Sequence, residues 1–576
     1  MASAELIDVP ARSAVPRHRM IAPVEESGAA SEARAWPRAV ARFCVRCVAI
    51  VGLAACLAWP WIDQRFYWLG WLGLGGFLYF RRYAVQRAAH LWTLLYSISA
   101  LGVAFHWAPA AMAYTMNASF ALGMAVVLPI LLAEAVRLSL PLVLAGGPPA
   151  DGFPERILPR WLWLAVLAVA LETLVPTVFP WRLGHVQADV PVLNQLIPVL
   201  GPAMATVSVF ALAAIVCGMC AFLRPFASRP APVSRWKASE SRELWTAAAF
   251  VALNLFWGAW SLHAWDSRPG NRQARKLALV QVDPSYTESL GKMQAHTREV
   301  DADVDLVCWP ESSIGCYSLD VNHFGDRKHL FRNSRMPLRG KAPFQSAPCD
   351  VLAGGKSFAG PPNTDSGERV TAYLIDREQR LVARYHKTRL MPFGEYVPGA
   401  QTIPALATLF GFGADPPLPG TEPRALTTSC GARVGVMMCY EDMLPDVSRA
   451  LVRDGAEVLI ALINGTAFEN PVALRQHRQL ACFRALENRR YLVRTASTGS
   501  TCIIDPLGRR IAELPVQTEG MLQAKVALLR GTTLYSRTGD VFGWTCVVAS
   551  GCFLIYQAAG RSRGRRRPRD TSVGGK

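Results

Sequence analysis

Charge is scarce in this chain: 18% of its 576 residues are Asp, Glu, Lys or Arg, against 51% that are hydrophobic. That balance excludes an ordinary large soluble enzyme, which needs a charged surface around its core. The GxGxxG and P-loop Gly-Lys-Ser/Thr patterns are also missing, which argues against nucleotide chemistry. No A-x-A-like site follows an apolar h-region. The opening mixture of Ala, Ser, Pro, Glu and Arg therefore reads as a disordered cytoplasmic leader over 1–38, not a cleaved signal peptide. Cys44-x-x-Cys47 and Cys217-x-x-Cys220 have metal-like spacing but no histidine partners, and they lie in apolar runs, so packing is their reading.

What the chain does have is spanning-length apolar runs, at about 43–60, 66–80, 89–107, 111–136, 161–180, 192–223, 244–264 and 541–558. A membrane domain of about seven spans over 39–266 and a C-terminal span over 541–558 follow, about eight in all. Lys and Arg are distributed unevenly between the short loops. With a cytoplasmic N-terminus, that side receives Arg38 and Arg42, Arg81 and Arg82, Arg137 and Arg160, Arg224 and Arg242, and a basic tail over 559–576. The opposite loops hold little beyond Arg65 and Arg182. The positive-inside rule then puts both termini in the cytoplasm and the block between the last two spans on the far side. The net charge of +18 falls largely on these cytoplasmic segments. Topology and attraction to anionic membrane lipids account for it, and nucleic acid is not an expected partner.

The block at 270–535 has soluble composition. Short β-rich runs recur at Lys276–Val282, Asp305–Cys308, Val351–Ala353, Ala372–Asp376, Arg433–Met438, Val458–Ile463, Tyr491–Thr495 and Thr501–Asp505. Helical stretches such as Thr287–Val300 and Arg475–Arg490 lie between them, which implies an α/β layered fold. If the block is extracytoplasmic, Cys308, Cys316, Cys349, Cys430, Cys482 and Cys502 are disulfide candidates. Three groups that suit acyl transfer stand at the ends of strand-like stretches: Glu311 after Trp309-Pro310, Lys387 after His386, and Cys439 after Met438. A thiol needs a base before it attacks, and Glu311 is suited to take its proton. Lys387 can stabilise the carboxylate and a tetrahedral oxyanion, with a backbone N–H near Tyr440 as a second donor.

Around these residues stand Trp309-Pro310-Glu311-Ser312, the run Lys387-Thr388-Arg389-Leu390-Met391-Pro392-Phe393-Gly394-Glu395-Tyr396-Val397-Pro398, Cys439-Tyr440-Glu441, and Arg484-Ala485-Leu486-Glu487-Asn488-Arg489-Arg490. In the membrane part stand Glu172, Phe179-Pro180-Trp181, Gly184, Gln187, Gln195 and Gly201. Together they resemble apolipoprotein N-acyltransferase, the integral-membrane branch of the nitrilase (carbon–nitrogen hydrolase) superfamily. The resemblance implies an αββα sandwich facing the periplasm on eight helices, in a bacterial inner membrane. Glu311, Lys387 and Cys439 become base, oxyanion lysine and nucleophile, with Glu395, Tyr440 and Glu441 in support. It implies a ping-pong reaction. Cys439 takes an acyl chain from a phospholipid and passes it to the α-amine of a diacylglyceryl-cysteine at a lipoprotein N-terminus. No metal or diffusible cofactor enters, and a monomer is expected.

Glu172, an acid in an apolar span, is a candidate for helix pairing ahead of function. The chain departs from the family pattern at Val280-Gln281-Val282-Asp283-Pro284, at Asn464-Gly465-Thr466-Ala467-Phe468 and at Arg494-Thr495-Ala496-Ser497-Thr498-Gly499, loops expected near the site. Competing readings are a membrane-tethered nitrilase-like amidase that resolves the thioester with water, a non-catalytic lipoprotein-binding scaffold, and a transporter. A large soluble insertion bearing a nucleophile trio is not what transport requires.

Overall fold

The structure is a computed structural model that describes residues 28–83, 88–144, 158–227, 238–267, 273–283, 288–314, 347–358, 367–378, 380–410, 416–466, 468 and 470–565. Most of the expected leader, the end of the basic tail and Cys316 lie outside the described residues. The packing described below lies within Ile50–Lys576.

The first half is helical: α1 (Gly28–Ile62), α2 (Tyr67–Tyr83), α3 (Ala89–Ala104), α4 (Ala108–Thr115), α5 (Phe120–Leu144), α6 (Arg160–Leu174), α7 (Ile197–Leu200), α8 (Ala203–Ala227) and α9 (Ala238–Asp266). Many large apolar side chains on these helices point outward, Leu253 and Phe256 being 70% and 73% exposed, the kind of surface that a lipid phase covers. Among the described residues, four helices are long and apolar enough to cross a membrane: Trp36–Ile62, Phe120–Leu144, Ala203–Leu223 and Ser241–Asp266. The pair α3 and α4, bent by 57°, has the composition of a broken span or a re-entrant loop.

The expected spans thus need redrawing. The run 111–136 is not one helix, because α4 stops at Thr115 and α5 starts at Phe120. The run 161–180 is helical only to Leu174, and 192–223 becomes a continuous helix only at Ala203. Apolar loop residues account for the difference. Leu183, Val186, Leu193 and Ile197 are buried, in short turns between α6 and α8. Hydropathy alone reads such turns as membrane.

The second half is a sandwich. One six-stranded sheet has the order β12-β1-β2-β3-β4-β5 and the other β11-β10-β9-β8-β7-β6. The first comprises β1 (Ala274–Gln281), β2 (Leu306–Cys308), β3 (Asp350–Phe358), β4 (Glu368–Ile375), β5 (Leu381–His386) and β12 (Gly520–Ala527). The second comprises β6 (Leu426–Thr427), β7 (Arg433–Met438), β8 (Val458–Ile463), β9 (Leu492–Ala496), β10 (Cys502–Ile504) and β11 (Arg510–Glu513).

Alternation along each strand divides the core into layers. Leu277 and Leu279 of β1 and Val434, Val436 and Met438 of β7 all point into the core between the sheets. Ala278 and Val280 face outward onto Met293 of α10 (Ser289–Arg298). Met437, Leu459 and Ala461 face outward onto α12 (Pro445–Arg453) and onto α14 (Phe483–Asn488). The layering is αββα. The remaining helices are α11 (Pro404–Leu409), α13 (Pro471–Ala481), α15 (Leu534–Thr538) and α16 (Val541–Arg565), within which Val541–Tyr556 is a shorter apolar stretch. Each described cysteine of the sandwich is a free thiol, so Cys308, Cys349, Cys430, Cys482 and Cys502 form no disulfide with one another. Cys308, Cys482 and Cys502 are instead core residues.

Candidate active site

Glu311 lies one turn beyond β2. That turn is pinned to β3 by Trp309 N–H donating to the Leu352 carbonyl at 2.9 Å and by Gly354 N–H donating to the Pro310 carbonyl at 3.3 Å. The approach is close enough that a Cβ at Gly354 would lie 2.6 Å from the Glu311 Cα, so β3 requires glycine there. Lys387 follows β5 and is almost fully buried. Its Nζ lies 2.7 Å from Glu395 Oε1 and 3.3 Å from Glu311 Oε1. The Met391–Glu395 turn closes through Met391 N–H donating to Glu395 Oε2 at 2.7 Å, with Phe393 at φ 59°.

Cys439 follows β7 and is buried, with φ 47° and its Sγ 3.7 Å from the Asn464 carbonyl. Ser312, next to Glu311, is at φ 63°. Three non-glycine residues in the left-handed region around one site mark stored backbone strain, which surrounding contacts must hold.

The electrostatics favour a neutral resting thiol. Burial pushes the Cys439 thiol well above its ordinary 9.0, and the Glu311 carboxylate adds to the rise against the Lys387 ammonium. Glu311 is itself raised above 4.5 by burial, while Lys387 pulls it down. For Lys387, burial acts to lower the value, but Glu311 and Glu395 outweigh it and hold the amine above 10.5, so it stays an ammonium. An acid and a fixed cation thus share the pocket with the sulfur, the arrangement needed for base-assisted attack and oxyanion stabilisation.

Glu441 has a different task. Its Oε1 accepts from Thr388 N at 2.7 Å, Thr388 Oγ1 at 2.6 Å, Tyr385 Oη at 2.9 Å and Arg389 N at 3.1 Å, and its Oε2 accepts from Met438 N at 2.8 Å. Burial raises its pKa against these bonds. It ties the segment after Lys387 to the turn bearing Cys439. Tyr440 Oη donates to the Val178 carbonyl at 2.7 Å, joining the same turn to the loop after α6.

Sequence reasoning did not single out Asp442. It is fully buried, 2.8 Å from His477 Nε2 and 2.8 Å from Arg494 Nε. Burial alone would raise its carboxyl, but Arg494 and His477 outweigh that and hold it below 3.8. It anchors the Cys439 turn from the far side. Its only sequence signal is an acid directly following Cys439-Tyr440-Glu441.

Of the departing loops, Asn464 accepts through Oδ1 from Thr466 N at 3.1 Å and places its carbonyl against the sulfur. Arg494 belongs to the Asp442 network, and Gln281 Oε1 accepts from Thr501 N at 3.3 Å. Glu172 is spent on structure: it accepts from Leu183 N at 2.7 Å and Thr206 Oγ1 at 2.9 Å, tying α6 to the following loop and to α8. Among the described residues no group of three or more His, Cys, Asp or Glu could hold a metal ion.

A cavity of about 490 Å³ opens on Cys439, Glu311 and Lys387 and continues between α4 and α5, where Met112, Val127, Ile130 and Leu131 line it. Its walls therefore come from both halves of the molecule.

The family model for the apolipoprotein N-acyltransferase N-terminal domain matches residues 51–215, and the carbon-nitrogen hydrolase model matches 276–534. The chain is 31% identical over 417 residues to the apolipoprotein N-acyltransferase of Geobacter metallireducens, covering 69% of this chain and 74% of that one. It is 25% identical over 514 residues to that of Bdellovibrio bacteriovorus, covering 82% and 86%. Among solved structures, Saccharomyces cerevisiae Nit3, a member of the nitrilase superfamily, matches 44% of this chain and 90% of its own at 20% identity, with a TM-score of 0.32.

Proposed function

The chain belongs to the apolipoprotein N-acyltransferase family, and from that premise we propose that it moves an acyl chain from a phospholipid, through a thioester on Cys439, to the N-terminal diacylglyceryl-cysteine of lipoproteins. The observation that carries this reading is the placement of a buried Glu–Lys–Cys group at the head of an apolar cavity walled by membrane helices.

In the first half-reaction Glu311 takes the Sγ proton as the sulfur attacks the ester carbonyl. The carbonyl oxygen, now an anion, is met by the Lys387 ammonium and a backbone N–H near Tyr440. Collapse breaks the ester C–O bond, and Glu311 returns the proton to the departing lysophospholipid oxygen. In the second, the acceptor amine attacks the thioester, Glu311 takes a proton from the nitrogen, and the sulfur leaves and is reprotonated. Glu395 holds Lys387, and Glu441 and Tyr440 hold the Cys439 turn.

The membrane half gives this chemistry its substrate. Lifting a lipid tail into water costs about 0.8 kcal/mol per CH₂, so an apolar cavity that meets the membrane spares most of that cost. The charge asymmetry of the short loops supports an inner-membrane protein with both termini in the cytoplasm and the sandwich in the periplasm.

The test is a two-substrate assay in detergent or vesicles, with a phospholipid bearing a labelled acyl chain and a diacylated lipopeptide. Label should move to the lipopeptide amine, with lysophospholipid released in equal amount. Release of free fatty acid without acylated lipopeptide would contradict the proposal and favour a hydrolase.

A further inference from the structure

The cavity wall carries charge that the acyl transfer does not use. Of its charged residues, Glu311, Lys387 and Glu395 form the reaction group. Glu134 of α5 is held by Arg137 Nε at 2.7 Å and is buried. Among the described residues that leaves Lys356 of β3 and Glu368 of β4, joined at 2.8 Å, with side chains 36% and 29% exposed.

Their position follows from the strands. Lys356 pairs in register with Val370, whose carbonyl accepts from Lys387 N–H at 2.9 Å, and it lies two residues beyond the Gly354 that packs on Glu311. The pair therefore stands on the same wall as the reaction group. A phospholipid ester presented to Cys439 with its chain along Met112, Val127 and Ile130 must put its headgroup elsewhere on the cavity wall. Among the described residues, the charged ground left to it is this pair, beside the uncharged Thr115, Ser312, Asn464 and Thr466.

We propose that Lys356 and Glu368 read the headgroup of the acyl donor, the lysine taking the phosphate and the glutamate a headgroup ammonium. This rests on the proposed phospholipid-to-Cys439 transfer and adds a specificity site to it. A half-exposed ion pair opens at little cost, and a zwitterionic headgroup replaces one such pair by two. A headgroup without an ammonium leaves Glu368 facing the phosphate, a like-charge contact that selects against it.

The experiment follows only the first half-reaction, without acceptor: the rate of the mass adduct on Cys439 in the full-length protein, with vesicles of phosphatidylethanolamine or of phosphatidylglycerol. The expected result is a preference of about fivefold or more for ethanolamine lipid in the wild type. E368Q should reduce that preference to within about twofold, and K356Q should slow both lipids. Thermal melting of each variant in detergent checks that it is folded, and acyl transfer to a lipopeptide from enzyme already loaded at Cys439 should be unchanged in both, which separates donor from acceptor recognition. The inference is overturned if the wild type shows no preference, if both variants keep the wild-type rates and ratio, or if only the loaded-enzyme step changes. If the wild type forms no adduct with either lipid, the proposed function itself fails and takes this site with it.

Discussion

Cys439 is held in a backbone conformation that side chains rarely adopt, in a place where its thiol resists ionisation. Both are costs, and in the proposed mechanism both serve a nucleophile that stays unreactive until an ester carbonyl arrives beside a base. In the proposed mechanism Lys387 is the group whose loss separates ground from transition state. Lys387→Ala should leave lipid binding in place and lower the rate of Cys439 acylation by about 10²–10³-fold, the usual cost of an oxyanion donor, read by stopped-time mass analysis. The pH dependence has a definite sign. Glu311 must be a carboxylate to accept the proton, and its value is raised, so the rate should climb with pH through a midpoint above 4.5. Lys387 is raised above 10.5, so no falling limb should appear as pH increases from 7 to 10. A falling limb with its midpoint inside that window would show that the lysine is not held by two carboxylates. Glu311 and Cys439 stand out in the sequence because each follows an apolar run, and Lys387 because it opens the run Lys387–Pro398. The roles of Glu441 and Asp442 differ only in which partners reach them, through contacts 35 to 56 residues apart that no local pattern carries.

Two elements meet at Glu441, the turn after β7 and the segment after β5, and its five accepted hydrogen bonds are the clamp between them. Glu441→Ala leaves the buried N–H groups of Thr388 and Met438 without acceptors, about 1–3 kcal/mol each. It should lower the denaturation midpoint and slow acylation together, whereas a variant that slowed acylation at unchanged stability would point to direct chemistry. Gly354→Ala forces β3 away from the Glu311 turn and should cost about 1–3 kcal/mol, measured by chemical denaturation in detergent. Strands read well from sequence where both faces are buried: Arg433–Met438 and Val458–Ile463 appear with their expected bounds. Leu381–His386, Arg510–Glu513 and Gly520–Ala527 went unseen, because charged and half-exposed residues interrupt their apolar pattern. The strand expected at Val351–Ala353 runs on to Phe358, since Gly354-Gly355-Lys356 carries no hydrophobic signal yet pairs fully with β4. The Arg475–Arg490 helix is two helices, α13 and α14, meeting at Cys482.

At the scale of the whole molecule the sandwich is fastened to the helices beside the site itself. Gln476 of α13 donates to the carbonyls of Trp61 and Ala104 and accepts from Trp107 Nε1, and Gln479 donates to the His185 carbonyl at 2.6 Å. With the Tyr440–Val178 bond, these contacts set the reaction group over the cavity between α4 and α5. Tyr440→Phe removes one such bond, worth about 0.5–1.5 kcal/mol, and should raise the lipid concentration for half-maximal acylation more than it lowers the limiting rate. Charge bias and hydropathy gave the membrane half its class but not its bounds, because the buried turns between α6 and α8 are as apolar as a helix core. The proposed reaction turns on a covalent intermediate. The most direct measurement is the intact mass of the purified protein after brief exposure to phospholipid vesicles without acceptor. One acyl chain should appear, mapped to Cys439, removed by hydroxylamine and absent in Cys439→Ala. A chain found on another residue, or continued lipoprotein acylation by Cys439→Ala, would contradict it.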